Sequence, residues 1–278
     1  MKFTSSSQEL KSLLKSEQDK GKSIGFVPTM GALHSGHLSL IKQAQKECDI
    51  VVCSIFVNPT QFNEKSDLEK YPRTIEADKN LIKNYCDYLF APETAEEVYG
   101  DKIELIEFDF GGLENELEGE FRPGHFQGMA NVVSLLLKIV TPDKAFFGLK
   151  DYQQYKIVCR LVEIIKLKTE IVGCTIIREE NGLARSSRNE LLSEKGREVA
   201  SVISYTLNYI KKYHAHFSIT EIQEKAKAMI QGILEVEYLE IRDAETLKNI
   251  TSWENNNGVF VSFAGMIDGV RLIDNIRF

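Results

Sequence analysis

The chain has 278 residues, 43% of them hydrophobic and 27% charged, with a formal net charge of −7. That length holds one large domain or two smaller ones, and the acidic balance excludes a general nucleic-acid binder, which needs a basic face. The polar start from Met1 to Lys22 has no secretory core, no apolar run is long enough to span a bilayer, and five scattered cysteines form no CxxC pair, so the expectation is a cytoplasmic protein with reduced thiols, bound to no membrane.

Helices and strands alternate along the first two thirds. Gln8–Asp19 reads as a helix and Ser23–Val27 as a strand that feeds Pro28-Thr29-Met30-Gly31-Ala32-Leu33-His34-Ser35-Gly36-His37. A helix follows to Glu47, with Leu38, Ile41 and Ala44 on one face, and Ser35 is placed to cap it. Asp49–Val57 is a β-branched run suited to a parallel strand covered on both faces. Thr74–Tyr85 reads as a helix, Tyr88–Ala91 and Ile103–Phe110 as strands, Gly128–Val140 as a helix, Lys144–Phe147 as a strand, Tyr152–Lys166 as a helix and Glu170–Ile177 as a strand. This alternation predicts an α/β, doubly wound parallel sheet with ligands at the strand C-termini. After the turn at Asn181-Gly182 come a long helix, Ser193–Lys212, a second over Thr220–Ile230, and three strand-like runs, Glu235–Ile241, Gly258–Phe263 and Arg271–Ile276. We therefore divide the chain into a larger α/β domain, residues 1–176, expected to carry the site, and a smaller α+β domain, residues 177–278.

The stretch from Met30 to His37 has the chemistry of an anion site. Gly31 and Gly36 let the backbone approach a ligand, and a helix N-terminus presents unpaired N–H groups. A lone histidine is usually a satisfied structural residue, but His34 and His37 bracket a strand-to-helix turn at i and i+3. Metal chelation is the rival use, opposed by the absence of a Cys or acidic ligand nearby in sequence. Phosphate contact is favoured, and no metal-ligating side chain is assigned.

Asn58 and Gln61 follow the strongest strand, where neutral amides suit hydroxyls and a carboxylate; the plain alternative is an Asn-Pro turn with a surface glutamine. Arg122-Pro123-Gly124-His125 is either a structural turn or a mobile gate. Gly148-Leu149-Lys150-Asp151 repeats the strand–glycine–helix arrangement, with Lys150 where a cation meets phosphate and Gln154 one turn on. Arg185-Ser186-Ser187-Arg188 is a compact donor set for phosphate. Glu114–Glu120 reads as a solvated acidic run, and Trp253 as packing in the small domain.

Taken in order, Pro28-Thr29-Met30-Gly31, His34-Ser35-Gly36-His37, Ser54–Phe62, Tyr71-Pro72-Arg73-Thr74, Arg122–Phe126, Lys150–Gln154, Ser186–Asn189 and Arg271-Leu272-Ile273-Asp274-Asn275 resemble the pantothenate synthetase (pantoate–β-alanine ligase) family, within the HxGH nucleotidyltransferase superfamily. The resemblance implies ATP-driven condensation of pantoate with β-alanine through a pantoyl-adenylate, with Mg²⁺, a Rossmann-like N-terminal catalytic domain, a smaller C-terminal lid domain and a homodimer.

Carried over, it puts Met30, Gly31, Ala32, Leu33, His34, Ser35, Gly36 and His37 against ATP, with His37 as proton donor and His34 and Lys150 beside it in catalysis. Gly148, Leu149, Lys150, Asp151, Ile177, Arg185, Ser186, Ser187 and Arg188 complete the ATP contacts. Gln61, Gln154 and Asn58 hold substrate, and we add Arg122 and His125 to that group. Loops Glu64–Arg73 and Arg122–Gly128 are expected to help exclude water. Leu149 and Arg185 depart from the family pattern, where a polar and an apolar residue are usual; if that apolar residue packs on adenine, Arg185 would have to stack there instead. A transferase that stops at nucleotide transfer and a nucleotide-sensing protein are the rival readings.

Overall fold

The computed structural model describes residues 1–62, 68–69, 71–254 and 257–278; part of the expected 64–73 loop lies outside the described residues. The chain forms two compact units, residues 1–149 with 153–175, and residues 150–152 with 176–278.

The first unit is built on a parallel sheet of six strands: β1 (Lys2–Thr4), β2 (Ile24–Thr29), β3 (Ile50–Ile55), β4 (Tyr88–Phe90), β5 (Lys144–Gly148) and β6 (Glu170–Cys174), in the order β1-β4-β3-β2-β5-β6. Alternate residues of the central strands enter different cores. Phe26, Val52 and Phe90 pack with Leu10 and Leu14 of helix α1 (Ser7–Gln18), while Val27, Val51, Cys53 and Leu89 pack with Leu40, Ile41 and Ala44 of helix α2 (Ser35–Glu47) and Ile82 of helix α3 (Ile75–Ile82). A period-two alternation with both sides apolar is what a doubly wound sheet requires. Helix α4 (His125–Val140) is buried almost all round and, with helix α5 (Tyr152–Ile164), belongs to the first of these cores.

Central strand β2 runs two residues further than the sequence suggests, through Pro28. The Ile24 carbonyl accepts from Asp143 on the β5 side, and the pairing with β5 stops at Phe26. Pro28 has the same parity, so its missing N–H faces a side where the ladder has already ended and costs no hydrogen bond.

Three other expectations need correction. Ile103–Phe110 pairs with no strand among the described residues. Side-chain amides of α4 replace one: Asn131 exchanges two bonds with the Ile106 backbone, both 2.8 Å, and Gln127 exchanges two with Phe108, 3.0 and 2.7 Å. Glu114–Glu120 is packed rather than solvated, with Leu117 and Gly119 buried; a Cβ on Gly119 would lie 1.8 Å from the Glu114 carbonyl oxygen. The single helix expected over Ser193–Lys212 is broken at Ala200 into Glu194–Val199 and helix α6 (Ser201–Tyr213).

The second unit is an antiparallel sheet, β7 (Glu235–Asp243), β8 (Val259–Ile267) and β9 (Val270–Arg277), in the order β7-β8-β9. Its core joins Leu239, Val261 and Phe263 to Ile203, Leu207 and Ile210 of α6 and to Ile222, Ala226 and Ile230 of helix α7 (Ile219–Ile230). Trp253 packs against this core and donates its indole N–H to the Phe217 carbonyl at 2.8 Å.

Candidate active site

The residues singled out from sequence fall into two sets, one in each unit. In the first unit, β2 ends at Thr29, whose hydroxyl donates to the Ser54 carbonyl and accepts from Gly31 N–H. Gly31 and Ala32 take φ of +86° and +49°, and a Cβ on Gly31 would stand 3.1 Å from Ile55 and 3.2 Å from Asp78. Asp78, on α3 and only 2% exposed, closes this turn. Its carboxylate accepts from Ala32 N–H at 3.1 Å, from Leu33 N–H at 2.8 Å and from the Thr74 hydroxyl. The sequence reading missed Asp78, though a signal existed: it lies at i+3 from Ile75 and i−4 from Ile82, a carboxylate on the apolar stripe of its helix.

The cap of α2 is His34, not Ser35, which is the helix's first residue. His34 is extended, with φ −138° and ψ −177°; its Nδ1 accepts from Gly36 N–H at 3.1 Å, and His37 Nδ1 accepts from His34 N–H at 3.3 Å. Because both Nδ1 atoms act as acceptors, each neutral ring carries its hydrogen on Nε2. A Cβ on Gly36 would fall 2.8 Å from His34 Cε1, so glycine is needed there to make room for the imidazole.

Asn58 is 1% exposed and fully committed. Its Nδ2 donates to Gln61 Oε1 at 3.0 Å and to the Gly128 carbonyl at 3.2 Å; its Oδ1 accepts from Tyr99 OH at 2.7 Å and from Thr60. Gln61 Nε2 rests on Met30 Sδ, a weak acceptor that a ligand oxygen can readily replace. His125 Nδ1 donates to the Gln61 carbonyl at 2.8 Å, and Arg122 Nη1 donates to His125 Nε2 at 3.3 Å. These bonds tie the Arg122–His125 turn to Gln61. Helix α4 starts at His125, and a Cβ on Gly128 would meet the Thr60 carbonyl oxygen at 2.1 Å.

The adjacent glutamines of α5 divide sharply. Gln153 is buried and ties down the Glu114–Glu120 region through Glu118 N–H and the carbonyls of Leu113 and Glu116. The Gln154 amide makes no hydrogen bond among the described residues. Leu149 lies over β6, and Gly173 leaves the space for it: a Cβ there would be 2.7 Å from Leu149 Cδ2.

In the second unit, Lys150, Ser186 and Arg188 line one small cleft with Asn189 and residues Arg271–Asp274. Neither the Lys150 ammonium nor the Arg188 guanidinium has an anionic partner among the described residues. Two such cations at the edge of one concavity favour negative charge nearby. Ser186 caps the short 3₁₀ turn Ser187–Leu191 by accepting Arg188 N–H at 3.2 Å. Arg185, by contrast, is paired with Glu179 at 2.8 Å and Glu190 at 3.0 Å, and its backbone N–H donates to the Ile177 carbonyl. Burial alone would raise the Glu179 pKa; hydrogen bonds from Asn189 and Arg185, and the charge of Arg197, outweigh it and hold the carboxyl below its ordinary value.

A parallel sheet whose central strand runs into a helix that opens on His-x-Gly-His defines an α/β protein of the HxGH type. The pantoate–β-alanine ligase family model matches residues 2–277. A pantothenate synthetase of Christiangramia forsetii is 49% identical over 264 residues, 92% of each chain. The crystal structure of pantothenate synthetase from Thermus thermophilus is 38% identical with a TM-score of 0.89, covering 99% of both chains. That of a Francisella tularensis pantoate–β-alanine ligase, complexed with beta-gamma ATP and beta-alanine, is 36% identical with a TM-score of 0.80, covering 99% of this chain and 97% of that one. The chain belongs to the pantoate–β-alanine ligase family.

Proposed function

We propose that this chain condenses (R)-pantoate with β-alanine, converting ATP to AMP and pyrophosphate through a pantoyl-adenylate. The observation that carries the reading is the contact between Gln61 and Met30. It joins a neutral amide wall to the histidine-capped loop, so a hydroxy acid and a nucleotide can be held side by side. A transferase acting on a phosphorylated acceptor would want cations where Asn58 and Gln61 stand.

In the first step a pantoate carboxylate oxygen bonds to the α-phosphorus of ATP while the bond to pyrophosphate breaks. Gln61 and Gln154 orient pantoate, Asn58 and His125 hold Gln61 in place, and His34 and His37 donate Nε2–H to the phosphates. Lys150, Ser187 and Arg188 meet the charge on the leaving pyrophosphate. In the second step the β-alanine amine attacks the acyl carbon, loses a proton, and AMP departs.

A helix end supplies about 0.3–1 kcal/mol, whereas one preorganised donor at developing charge supplies roughly 3–4 kcal/mol, or 10²–10³ in rate. Side chains therefore carry the chemistry, and the helix end serves mainly to aim them.

Mg²⁺ fits this site as a partner of the nucleotide. Among the described residues no group of three or more His, Cys, Asp or Glu forms a cage, and Mg²⁺ commonly binds through substrate phosphates, water and one or two carboxylates. Asp151, exposed beside Lys150, offers such a carboxylate. When bound, the ion neutralises triphosphate charge. We also infer a cytoplasmic homodimer; the exposed Ile103, Leu105 and Ile106 suit self-association.

Incubation with ATP, Mg²⁺ and pantoate, with and without β-alanine, tests the reading. AMP and pantothenate appearing together only with all three substrates supports it. Pyrophosphate release that depends on some other acceptor would overturn it.

A further inference from the structure

Arg271–Asp274, from the motif Arg271-Leu272-Ile273-Asp274-Asn275, line the same cleft as Lys150 and Arg188. Asp274 is 3% exposed and takes a two-pronged ion pair from Arg178, at 2.6 and 3.0 Å. Arg178 donates as well to the carbonyls of Gly182 and Asn275, and bridges to Ala184 across a hairpin. The returning arm of that hairpin leads directly into Ser186–Arg188.

Asn275, the next residue, is 4% exposed. Its Nδ2 donates to the Lys150 carbonyl at 2.7 Å, and its N–H donates to Asp274 Oδ1 at 2.7 Å. Two residues beyond Lys150, the Tyr152 hydroxyl donates to the Ala244 carbonyl at 2.9 Å, and its ring stacks on Phe260 with Arg277 across its face. The backbone that carries Lys150 is therefore fixed to the three-stranded sheet at two points.

We propose that Asp274 and Asn275 are positioning residues for the two cations. Asn275 sets the backbone from which Lys150 projects, and Asp274, through Arg178, sets the hairpin that presents Arg188. The proposal rests on the reading that these cations meet the triphosphate. Lysine has four flexible bonds and its ammonium has no internal partner among the described residues, so its reach depends on where its backbone is held. A misplacement of about 1 Å costs up to about 10²-fold in rate.

Asn275→Asp keeps the size of the side chain and removes the donor to Lys150. Its rate of pantoate-dependent pyrophosphate release should fall about 10- to 100-fold, with the KM for β-alanine unchanged. In a Lys150→Ala background the same change should alter the rate by less than about twofold, since the group being positioned is gone. Losses that simply multiply would reduce Asn275 to a general structural residue and overturn the proposal.

Arg178→Lys is an independent arm that keeps the charge and loses the fork. It should raise the KM for ATP without changing that for β-alanine; wild-type values for both would overturn the Asp274 half. Wild-type protein that makes no pantothenate removes the underlying reading and this proposal together. Active wild-type protein with an unaffected Asn275→Asp variant removes this proposal alone.

Discussion

His37 accepts the backbone N–H of His34 through Nδ1 at 3.3 Å, in a turn where His34 itself accepts that of Gly36. The two imidazoles play the parts that Ser and Glu usually take in a capping box, with ring centroids 4.2 Å apart. Scaffold and proposed donor thus share the same side chains: Nδ1 builds the helix start and Nε2 keeps the hydrogen.

The two roles separate by substitution. His34→Asn retains a good cap and loses the Nε2 donor, so turnover should fall about 10²–10³-fold with little change in melting temperature. His34→Ala should lose a similar amount of activity and, in addition, about 0.5–2 kcal/mol of stability. Equal melting temperatures for the two variants would show that the cap is not worth this much.

The alternating sheet was legible because its signal is local: Asp49–Val57 can only be a covered strand, and the histidine spacing marks a turn whatever surrounds it. What escaped depends on partners distant in sequence. Ile103–Phe110 has strand-like residues, but whether they meet a strand or the amides of Gln127 and Asn131 is not written in the segment itself. The place of Asn58 after a strand does not reveal its burial or its bonds to Gln61, Gly128 and Tyr99. Pro28 looked like the end of a strand because the ladder on one side does end there. Arg185 stood out as a departure without revealing that Glu179 and Glu190 would claim it.

Gln153 and Gln154 should respond in opposite ways. Gln153→Ala strands the carbonyls of Leu113 and Glu116 and the N–H of Glu118, which should cost about 1–3 kcal/mol while the KM for pantoate changes little in folded protein. Gln154→Ala removes an amide that holds nothing internal among the described residues, so its stability should match wild type while the KM for pantoate rises. Thermal melts and initial rates on both variants decide it; a pantoate defect confined to Gln153→Ala would reverse the assignment.

Acid stability should depend on Asp243. Burial opposes its charge, but hydrogen bonds from Asn257, Thr246 and Glu245 prevail and bring its pKa down to about 2. A carboxylate with a depressed folded-state pKa stabilises above its unfolded value near 4 and loses that contribution as pH falls toward 2. Asp243→Asn should therefore lose roughly 2 kcal/mol at neutral pH and show a flatter fall in stability between these limits. Urea melts at several pH values measure this; parallel curves for variant and wild type would mean the group titrates alike folded and unfolded.

Asp78 offers the most specific test of how the Met30–His37 loop, proposed to hold the nucleotide, is fixed. Its carboxylate takes two successive backbone N–H groups, from Ala32 and Leu33, just where the chain adopts positive φ. Without it, those donors must find other partners and the segment between Met30 and His34 loses its fixed path. Asp78→Ala should raise the KM for ATP by about tenfold, equal to roughly 1.4 kcal/mol of binding, and lower stability by about 1–3 kcal/mol. Asp78→Asn keeps one acceptor oxygen and should fall between the two. Because Gln61 and Gln154 do not bond to Asp78, the KM for pantoate should move less than that for ATP. Equal rises in both would indicate that the whole edge of the sheet has shifted, and that Asp78 supports the first unit's fold rather than the loop.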